Sequence, residues 1–436
     1  MEALFPAAIV LILLLVFLGL GVWVFASLGL VAFSALFFLQ GMDPGRIGTI
    51  AANIIYRYSS GWELAAIPMF IWMGEIIFRT DISARLFRGL SPFVDYIPGR
   101  LLHTNVLGCA MFASVSGSSP ATTATVGKIT TSALEARGYD QRISLGSLAG
   151  AGSLGLLIPP SIVMIVYGIL AEQSVSRLFA AGVVPGLMIA GLYSGYVMIR
   201  AVLDPSLVPA ERPRYRPADF ARALLDLLPL ITLMVIVLGS IYSGIATPSE
   251  AAAVGVLAAI AIAGVTGQLS LRLLRETLMG ALQTSTMVCS ILIVAAFMSS
   301  AMGYLHIPAN VAGAIAALEL SPFALLAVLS LFYLGLGLFL DGNSIVVMSL
   351  PIALPLATQA GFDPIWFGIY LVLMVEMAQV TPPVGFNLFV LQGISGRPIG
   401  YVARAAFPFF LLMLLGVGLL WAFPGIALWL PNLLYG

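Results

Sequence analysis

Residues 155–161 read Gly-Leu-Leu-Ile-Pro-Pro-Ser, and residues 380–387 read Val-Thr-Pro-Pro-Val-Gly-Phe-Asn. Each run places two consecutive prolines inside an apolar stretch, and the two proline pairs lie 223 residues apart. Proline has no N–H to donate and its ring clashes with the preceding turn, so each pair predicts a break in a helix. One such pair would be read most simply as a bend in a packed helix, whereas two in matching places favour a binding site.

The composition predicts an all-α polytopic membrane protein. Of 436 residues, 61% are apolar and 9% are charged, whereas about 25% of the residues in soluble domains are charged. A membrane helix needs roughly 20 mostly apolar residues, and the charge-free stretches here predict roughly ten to thirteen spans or half-spans. Two of these stretches are about twice the needed length, so each should hold two elements. The stretches are residues 3–42, 143–171, 178–199, 227–249, 277–318, 320–340 and 405–436.

Charge and cysteine content exclude several other classes. Lys plus Arg equals Asp plus Glu at 19 each, so there is no basic excess for nucleic acid, and the expected surroundings are membrane lipid. Cys109 and Cys289 lie far apart in apolar segments and are interpreted as packing residues. No Lys or Arg precedes Arg46, so the first apolar segment lacks the basic start of a signal peptide and should stay as a membrane helix.

The chain also reads as two copies of one unit. Besides the proline pairs, the run 116–118 matches 341–344, and 81–84 matches 306–309, at offsets of about 225 residues. Many secondary transporters are built from two such copies inserted in opposite orientations. The proline-rich segment 201–222 divides the chain and carries Arg212, Arg214 and Arg216, so we expect a cytoplasmic linker between repeats at 1–200 and 223–436.

Each copy offers the same two features, a Gly- and Ser/Asn-rich break and, about 40 residues later, the proline pair. In lipid, unwound backbone is tolerated only where it lines an enclosed cavity. The turn 117–120 exposes N–H groups at a helix start, which can face a carboxylate. The proline pairs should free carbonyls at 155–157 and 378–380, and Ser161, Thr381 and Asn387 add side-chain oxygens of the kind that hard cations prefer.

Three acidic residues next to breaks or helix starts need separate interpretation, because ionisable groups at membrane depth are costly. Asp341 is equally well explained as a hydrogen-bond anchor or as a ligand. Glu376 lies five residues before Thr381, and a structural role is slightly favoured. Glu250 follows Thr247-Pro248-Ser249 at a helix start, where capping is its expected role.

Longer motifs resemble the large membrane subunit (DctM-like) of tripartite ATP-independent periplasmic (TRAP) transporters, within the ion transporter superfamily. The resemblance covers essentially the whole chain. It rests on the following runs: Ile67-Pro68-Met69-Phe70 with Gly74, 113–119, Arg137-Gly138-Tyr139-Asp140, 155–161, 244–253, Leu340-Asp341 and 380–389. Near residues 21–25 the family is expected to favour proline, whereas this chain has Trp23. This difference is expected to affect the shape of a helix and not the binding site.

The resemblance implies an elevator-type transporter with two re-entrant hairpins, near 95–135 and near 320–360, that imports an organic acid together with sodium. The implied substrate is a carboxylate such as a dicarboxylate, a sialic acid or a sugar acid, held between the hairpin tips. The implied substrate-binding residues are Ser116, Ser118, Ser119, Thr122, Asn343, Ser344 and Thr381. The implied sodium-binding residues are Gly117, Ser118, Gly152, Gly155, Pro159, Asp341, Gly342, Asn343, Ala378, Thr381, Pro382 and Asn387.

It also implies a location in the bacterial inner membrane and two partners. One is a small DctQ-like membrane subunit of about four helices, expected as a separate polypeptide because no extra amino-terminal helices are visible. The other is a DctP-like periplasmic substrate-binding protein. Sodium is the expected coupling ion, and no organic cofactor is expected.

Two other functions are compatible with a polytopic membrane protein. An intramembrane protease would need a base near Ser118, but the chain has only two histidines, and Asp341 lacks a matching aspartate in the first copy. We therefore expect no enzyme. A stand-alone sodium/dicarboxylate symporter or antiporter of the same superfamily remains the alternative, which a neighbouring gene for a small four-helix protein would argue against.

Overall fold

A computed structural model describes residues 5–210, 214–316, 321–337, 340–382 and 385–436. These residues form twenty α-helices, and no strand occurs among them, which confirms the predicted all-α class. The helices are α1 Phe5–Gly19, α2 Val24–Ser34, α3 Pro44–Ser59, α4 Ala66–Phe78, α5 Ile82–Val94, α6 His103–Ser116, α7 Ser119–Ala136, α8 Gln141–Gly152, α9 Ile162–Leu170, α10 Val175–Leu203, α11 Pro217–Tyr242, α12 Pro248–Val265, α13 Leu271–Tyr304, α14 Ile307–Ala316, α15 Pro322–Leu336, α16 Gly342–Gln359, α17 Pro364–Gln379, α18 Phe386–Ser395, α19 Ile399–Ala422 and α20 Gly425–Tyr435.

Many of these helices have the length and composition of membrane spans. Within the described ranges, α10, α11, α12, α13 and α19 are each long and apolar enough to cross a bilayer. The segments Pro44–Ser59 and Trp62–Phe78 pass the same test together but are bent by 58°. Six shorter apolar helices of 10–17 residues accompany them. The chain is therefore polytopic, as predicted.

The two long charge-free stretches each hold two helices. Residues 3–42 contain α1 and α2, and α2 continues into a π-helix at Ala35–Leu39. Residues 277–318 contain most of α13 and all of α14. Trp23 lies just before α2 with extended backbone angles and 76% of its surface exposed, so it marks a helix start outside the packed interior.

The order of helices repeats along the chain. The starts of α5, α7, α9 and α10 are matched by the starts of α14, α16, α18 and α19 at offsets of 223 to 225 residues. Packing partners are exchanged in the same way, since α7 packs on α18 and α9 on α16, while α8 packs on α19 and α10 on α17. Two related units that exchange contacts in this manner are what a pseudo-twofold arrangement produces. The opposite orientation of the two units and the boundaries 1–200 and 223–436 stay predictions.

The helices pack into two groups. We call α1–α5 and α11–α14 the frame helices, since α5 packs on α11, α4 on α12, and α13 on α2 and α4. We call α6–α10 and α15–α20 the site helices, because they contain the two Gly-rich tips and the two proline breaks. Frame and site helices meet mainly where α5 packs on α6 and α7, α4 on α6, and α13 and α14 on α16.

The segment between α10 and α11 is shorter than the predicted linker. Residues 201–203 belong to α10 and 217–222 to α11, and a short 3₁₀ turn occupies Pro205–Leu207. Arg212, one of the three predicted linker arginines, lies outside the described residues. The Leu207 carbonyl accepts a hydrogen bond from the Asp140 N–H at 3.1 Å. The linker is therefore packed against the loop that follows α7.

Candidate functional site

The first hairpin turns at a glycine, as the sequence predicts. Helix α6 ends at Ser116, Gly117 adopts the left-handed conformation with φ 58°, and α7 begins at Ser119. The Ser116 and Thr122 hydroxyls are 2.6 Å apart, which ties the two arms together at the tip. A methyl group on Gly117 would lie 3.1 Å from the Pro160 carbonyl oxygen, so the tip touches the first proline break directly.

The first break is packed against this hairpin. Helix α8 ends at Gly152, a 3₁₀ turn covers Ser153–Gly155, and α9 starts only at Ile162. A methyl group on Gly155 would lie 2.6 Å from Ser119 Cα, and one on Gly152 would lie 1.9 Å from Thr123 Oγ1. Glycine is thus required at Gly155 by close approach of backbone, and at Gly152 by close approach of the Thr123 side chain.

Two further residues of this break have other positions than the site prediction assumes. Ser161 caps α9, since its hydroxyl accepts a hydrogen bond from the Met164 N–H at 3.4 Å. This bond uses one of the two acceptor positions of the hydroxyl oxygen. Pro159 is buried, and it is not part of the cavity wall described below.

The second tip begins with Asp341, whose carboxylate caps α16. It accepts a hydrogen bond from the Asn343 N–H at 3.1 Å and another from the Ser344 hydroxyl. A methyl group on Gly342 would lie 2.8 Å from Val375 Cγ1 and 3.1 Å from Gln379 Nε2, so this tip packs on α17. Residues 338 and 339 of the second hairpin lie outside the described residues.

The second break corrects part of the prediction. The Ala378 carbonyl, expected to lack an intrahelical partner, accepts a hydrogen bond from the Thr381 N–H at 3.2 Å, because the last turn of α17 tightens. The Thr381 hydroxyl donates to the Met377 carbonyl at 2.6 Å. Pro382 is exposed, and its neighbour Pro383 lies outside the described residues. The freed carbonyls are therefore fewer than the proline pair suggested.

A cavity of about 480 Å³ lies between frame and site helices. Both tips border it, as do the first break at Leu156 and Ile162 and the second at Gln379 and Phe386. On the frame side its wall comes from α4 and α13. The predicted site residues in the wall are Ser116, Gly117, Ser118, Asp341, Gly342 and Asn343. Both predicted tips therefore meet in one space.

The remaining predicted residues are not part of this wall. Most of them are buried against neighbouring helices, whereas Pro382 is exposed. These residues are Ser119, Thr122, Gly152, Gly155, Pro159, Ser344, Ala378, Thr381, Pro382 and Asn387. Ser119, Thr122, Ser344 and Asn387 are fully buried.

Sequence reasoning missed several residues of the site. Glu75 and Thr284 enter the cavity wall from α4 and α13, and Gln379 enters from the end of α17. No local pattern marks the frame residues, since their role depends on how the two groups pack. Gln379 could have been found from its position two residues before Thr381.

Glu376 holds the two breaks together. Its side chain is fully buried, and its Oε1 accepts a hydrogen bond from the Leu156 N–H at 2.6 Å. Leu156 belongs to the first break, whereas Glu376 lies in α17 just before the second. The structural role favoured from the sequence is therefore observed, across the two halves of the chain.

The donor atoms suit hard cations and carboxylates. Among the described residues there is no group of three or more His, Cys, Asp or Glu side chains that could hold a metal ion. The polar atoms at the tips and breaks are hydroxyl, amide, carbonyl and carboxylate oxygens, which are typical ligands of hard cations. A helix start such as that of α7 suits the oxygens of an anionic substrate, whereas the Asn343 N–H at the start of α16 already donates to Asp341.

The family model "Tripartite ATP-independent periplasmic transporter, DctM component" matches residues 11–426. The chain belongs to this family. This TRAP permease is 36% identical to the C4-dicarboxylate TRAP transporter large permease protein DctM of Pseudomonas aeruginosa, over 89% of the chain and 91% of that protein. It is 33% identical to the ectoine/5-hydroxyectoine TRAP transporter large permease protein UehC of Ruegeria pomeroyi, over 98% and 99% of the two chains. The TRAP permease is accordingly an integral, multi-pass protein of the inner membrane.

Solved structures support the fold of this permease. The YdaH transporter of Alcanivorax borkumensis superposes with a TM-score of 0.64 over 89% of this chain and 91% of its own, at 15% sequence identity. MtrF of Neisseria gonorrhoeae superposes with a TM-score of 0.61 over 88% and 84% of the two chains, at 13% identity. At these identities the likeness concerns the fold alone.

Proposed function

We propose that this TRAP permease imports an organic carboxylate across the inner membrane, driven by sodium. The observation that carries the proposal is that both hairpin tips line one cavity, at the boundary between frame and site helices. The start of α7, with the Ser118 hydroxyl and the Asn343 side-chain amide, binds the substrate carboxylate. C4-dicarboxylates are the first candidate substrates, because the Pseudomonas aeruginosa relative is named as a C4-dicarboxylate permease.

Sodium coupling is supported by the charges in the cavity wall. The ionisable side chains among its described lining are Glu75 and Asp341, both acidic, and Glu75 is paired with Arg79 at 3.1 Å. An anionic substrate entering beside these carboxylates gains from a bound cation. Buried side-chain oxygens without partners, Asn343 Oδ1 and Gln379 Oε1, are available beside the second tip.

The positions of the arginines indicate on which side of the membrane the linker lies. Arg100 donates to the Pro209 carbonyl of the linker at 2.7 Å, and Arg88 pairs with Asp226 of α11 at 3.5 Å. Arg79 pairs with Glu276 near the start of α13. Because arginines concentrate on the cytoplasmic side of inner-membrane proteins, we place the linker there.

The proposed cycle moves the site helices against the frame helices as an elevator, so that the cavity faces one side and then the other. The substrate is delivered by a periplasmic DctP-like binding protein, and a DctQ-like small membrane subunit joins the frame helices. Both partners are inferred from the family. No covalent step is involved, and the permease acts as a carrier.

Uptake by reconstituted protein tests the proposal. The permease, with its small subunit in proteoliposomes and the binding protein outside, should accumulate substrate only under an inward sodium gradient. Ser118→Ala and Asn343→Ala should each lower uptake about tenfold, equivalent to losing roughly 1.4 kcal/mol of binding, with unchanged expression. Ser132→Ala, an exposed serine on the same helix α7, is the matched control.

Each part of the proposal has its own contradicting result. Normal uptake by both tip variants would disprove the site, and uptake that persists after collapse of the sodium gradient would disprove the coupling. Free transport by the large subunit alone would disprove the tripartite assembly and favour a stand-alone symporter or antiporter.

A further inference from the structure

Glu376 carries a carboxylate that does not line the cavity. It is fully buried in α17, and its Oε1 is occupied by the Leu156 N–H. Its second oxygen, Oε2, is buried and has no hydrogen-bond partner. No described ion pair includes Glu376. A negative charge in this position therefore has no cationic partner among the described side chains.

Oxygen atoms from three other helices surround the same place. Glu376 lies beside the Ser119 hydroxyl, which donates to the Gly152 carbonyl at 3.0 Å and accepts from Asn387 Nδ2 at 2.8 Å. The other end of the Asn387 amide, Oδ1, is buried without a partner. These contacts bring α7, α8, α17 and α18 together around one polar cluster.

Thr123 adds a further unpartnered oxygen. It follows Ser119 by four residues on α7 and therefore lies on the same face of that helix. Its hydroxyl Oγ1 is buried without a partner and lies against Gly152. Three buried oxygens in this cluster, from Glu376, Asn387 and Thr123, thus lack partners.

Burying a carboxylate without a positive partner has an unfavourable free energy, and buried oxygens without hydrogen bonds make it more unfavourable. A sodium ion removes both costs at once, because it supplies the charge and accepts several oxygen ligands. The ligand types fit: one carboxylate, one amide carbonyl, two hydroxyls and one backbone carbonyl. Two of these residues, Gly152 and Asn387, are among the expected sodium residues, but Glu376 and Thr123 are not.

We propose that Glu376 is the charged ligand of a sodium ion bound between the two breaks, with Ser119, Thr123, Asn387 and the Gly152 carbonyl as neutral ligands. The proposal rests on the sodium coupling proposed above. Since the ligands come from both halves of the chain, the bound ion joins the first hairpin and the second break into one unit. Sodium binding at this site thereby stabilises the observed arrangement of the tips.

Sodium-dependent stabilisation of the purified permease tests the site without transport. Sodium chloride replaces choline chloride stepwise at constant ionic strength while the thermal unfolding midpoint is measured. The half-saturating sodium concentration is the one that gives half of the maximal shift in this midpoint. Glu376→Gln keeps the acceptor for the Leu156 N–H but removes the charge, and it should raise the half-saturating sodium concentration about tenfold or more. Thr123→Val, which removes one oxygen at equal volume, should raise it several-fold, by roughly one ligand's contribution.

Controls separate ligand loss from general damage. Ser285→Ala removes a buried unpartnered oxygen from α13, outside the cluster, and should leave the half-saturating concentration unchanged. Glu376→Asp keeps the charge and should retain sodium-dependent stabilisation. If Glu376→Gln does not fold, the comparison of Glu376→Asp with Thr123→Val tests the site instead.

Two outcomes would overturn the inference, and they can be told apart. If the wild-type midpoint responds to sodium and Glu376→Gln responds at the same concentration, Glu376 is not a ligand, although sodium coupling survives. If the wild-type midpoint ignores sodium and uptake is insensitive to a sodium gradient, the proposed coupling fails together with the site.

Discussion

Gly155 illustrates how single residues determine this site. It lies in the first break, where a side chain would collide with Ser119 Cα at 2.6 Å and the Ser118 carbonyl oxygen at 2.7 Å. Both atoms are backbone and cannot turn aside, unlike the end of a flexible side chain. The absence of a Cβ is therefore what allows the hairpin tip and the broken helix to touch.

Gly155→Ala should accordingly separate the tip from the break. Overpacking of this kind costs about 1–3 kcal/mol, so we expect a lower thermal unfolding midpoint and lower uptake at equal expression. Gly195→Ala is the matched control, because nothing lies within 4 Å of the added methyl in helix α10. It should be neutral or stabilising by up to about 1 kcal/mol. Equal behaviour of the two variants would contradict the close contact.

At the scale of elements, the first hairpin is fastened at its base. The Leu101 N–H, just before α6, donates to the Tyr139 hydroxyl just after α7 at 3.3 Å. Burial raises the pKa of Tyr139, which keeps this hydroxyl neutral at ordinary pH. Since the start of α6 and the end of α7 are adjacent, the hairpin enters and leaves on one side, as a re-entrant element does.

Tyr139→Phe should loosen this base. It leaves the Leu101 N–H buried without its partner, at a cost of about 1–3 kcal/mol, and the linker beside Asp140 should become more accessible. Hydrogen exchange at residues 98–103 and 137–142 measures this directly. Tyr96→Phe, an exposed tyrosine in the same region, serves for comparison. Unchanged exchange in Tyr139→Phe would show that the base is held by other contacts.

The elements show which parts of the site sequence could predict. Breaks and tips follow from proline and glycine, whose effects are local, and the capping role expected for Glu250 is confirmed by its reciprocal hydrogen bonds with Thr247. The direction in which a polar side chain points is not determined by its neighbours in the sequence. Thr381 turns back onto its own helix, and Glu376 reaches Leu156 220 positions away. Such choices depend on tertiary packing, which one sequence does not display.

At the scale of the whole molecule, the cavity lies where two groups of helices meet. The frame helices contribute residues of α4 and α13, and the site helices contribute residues of both tips and both breaks. An exposed ion pair also crosses this boundary, from Arg57 on α3 to Glu172 after α9, at 3.6 Å. Exposed pairs of this kind contribute at most about 1 kcal/mol, so the pair does not by itself prevent motion.

If transport requires the site helices to move against the frame helices, a covalent bridge at this position should stop it. In a background with Cys109→Ala and Cys289→Ala, Arg57→Cys with Glu172→Cys, joined by a short bismaleimide, should abolish uptake while sodium-dependent stabilisation persists. Arg88→Cys with Asp226→Cys joins α5 to α11 within the frame helices, at a similar separation of 3.5 Å, and should leave uptake intact. Normal uptake through the bridged Arg57–Glu172 pair would mean that the two groups move together, because a fixed link cannot accommodate sliding between them.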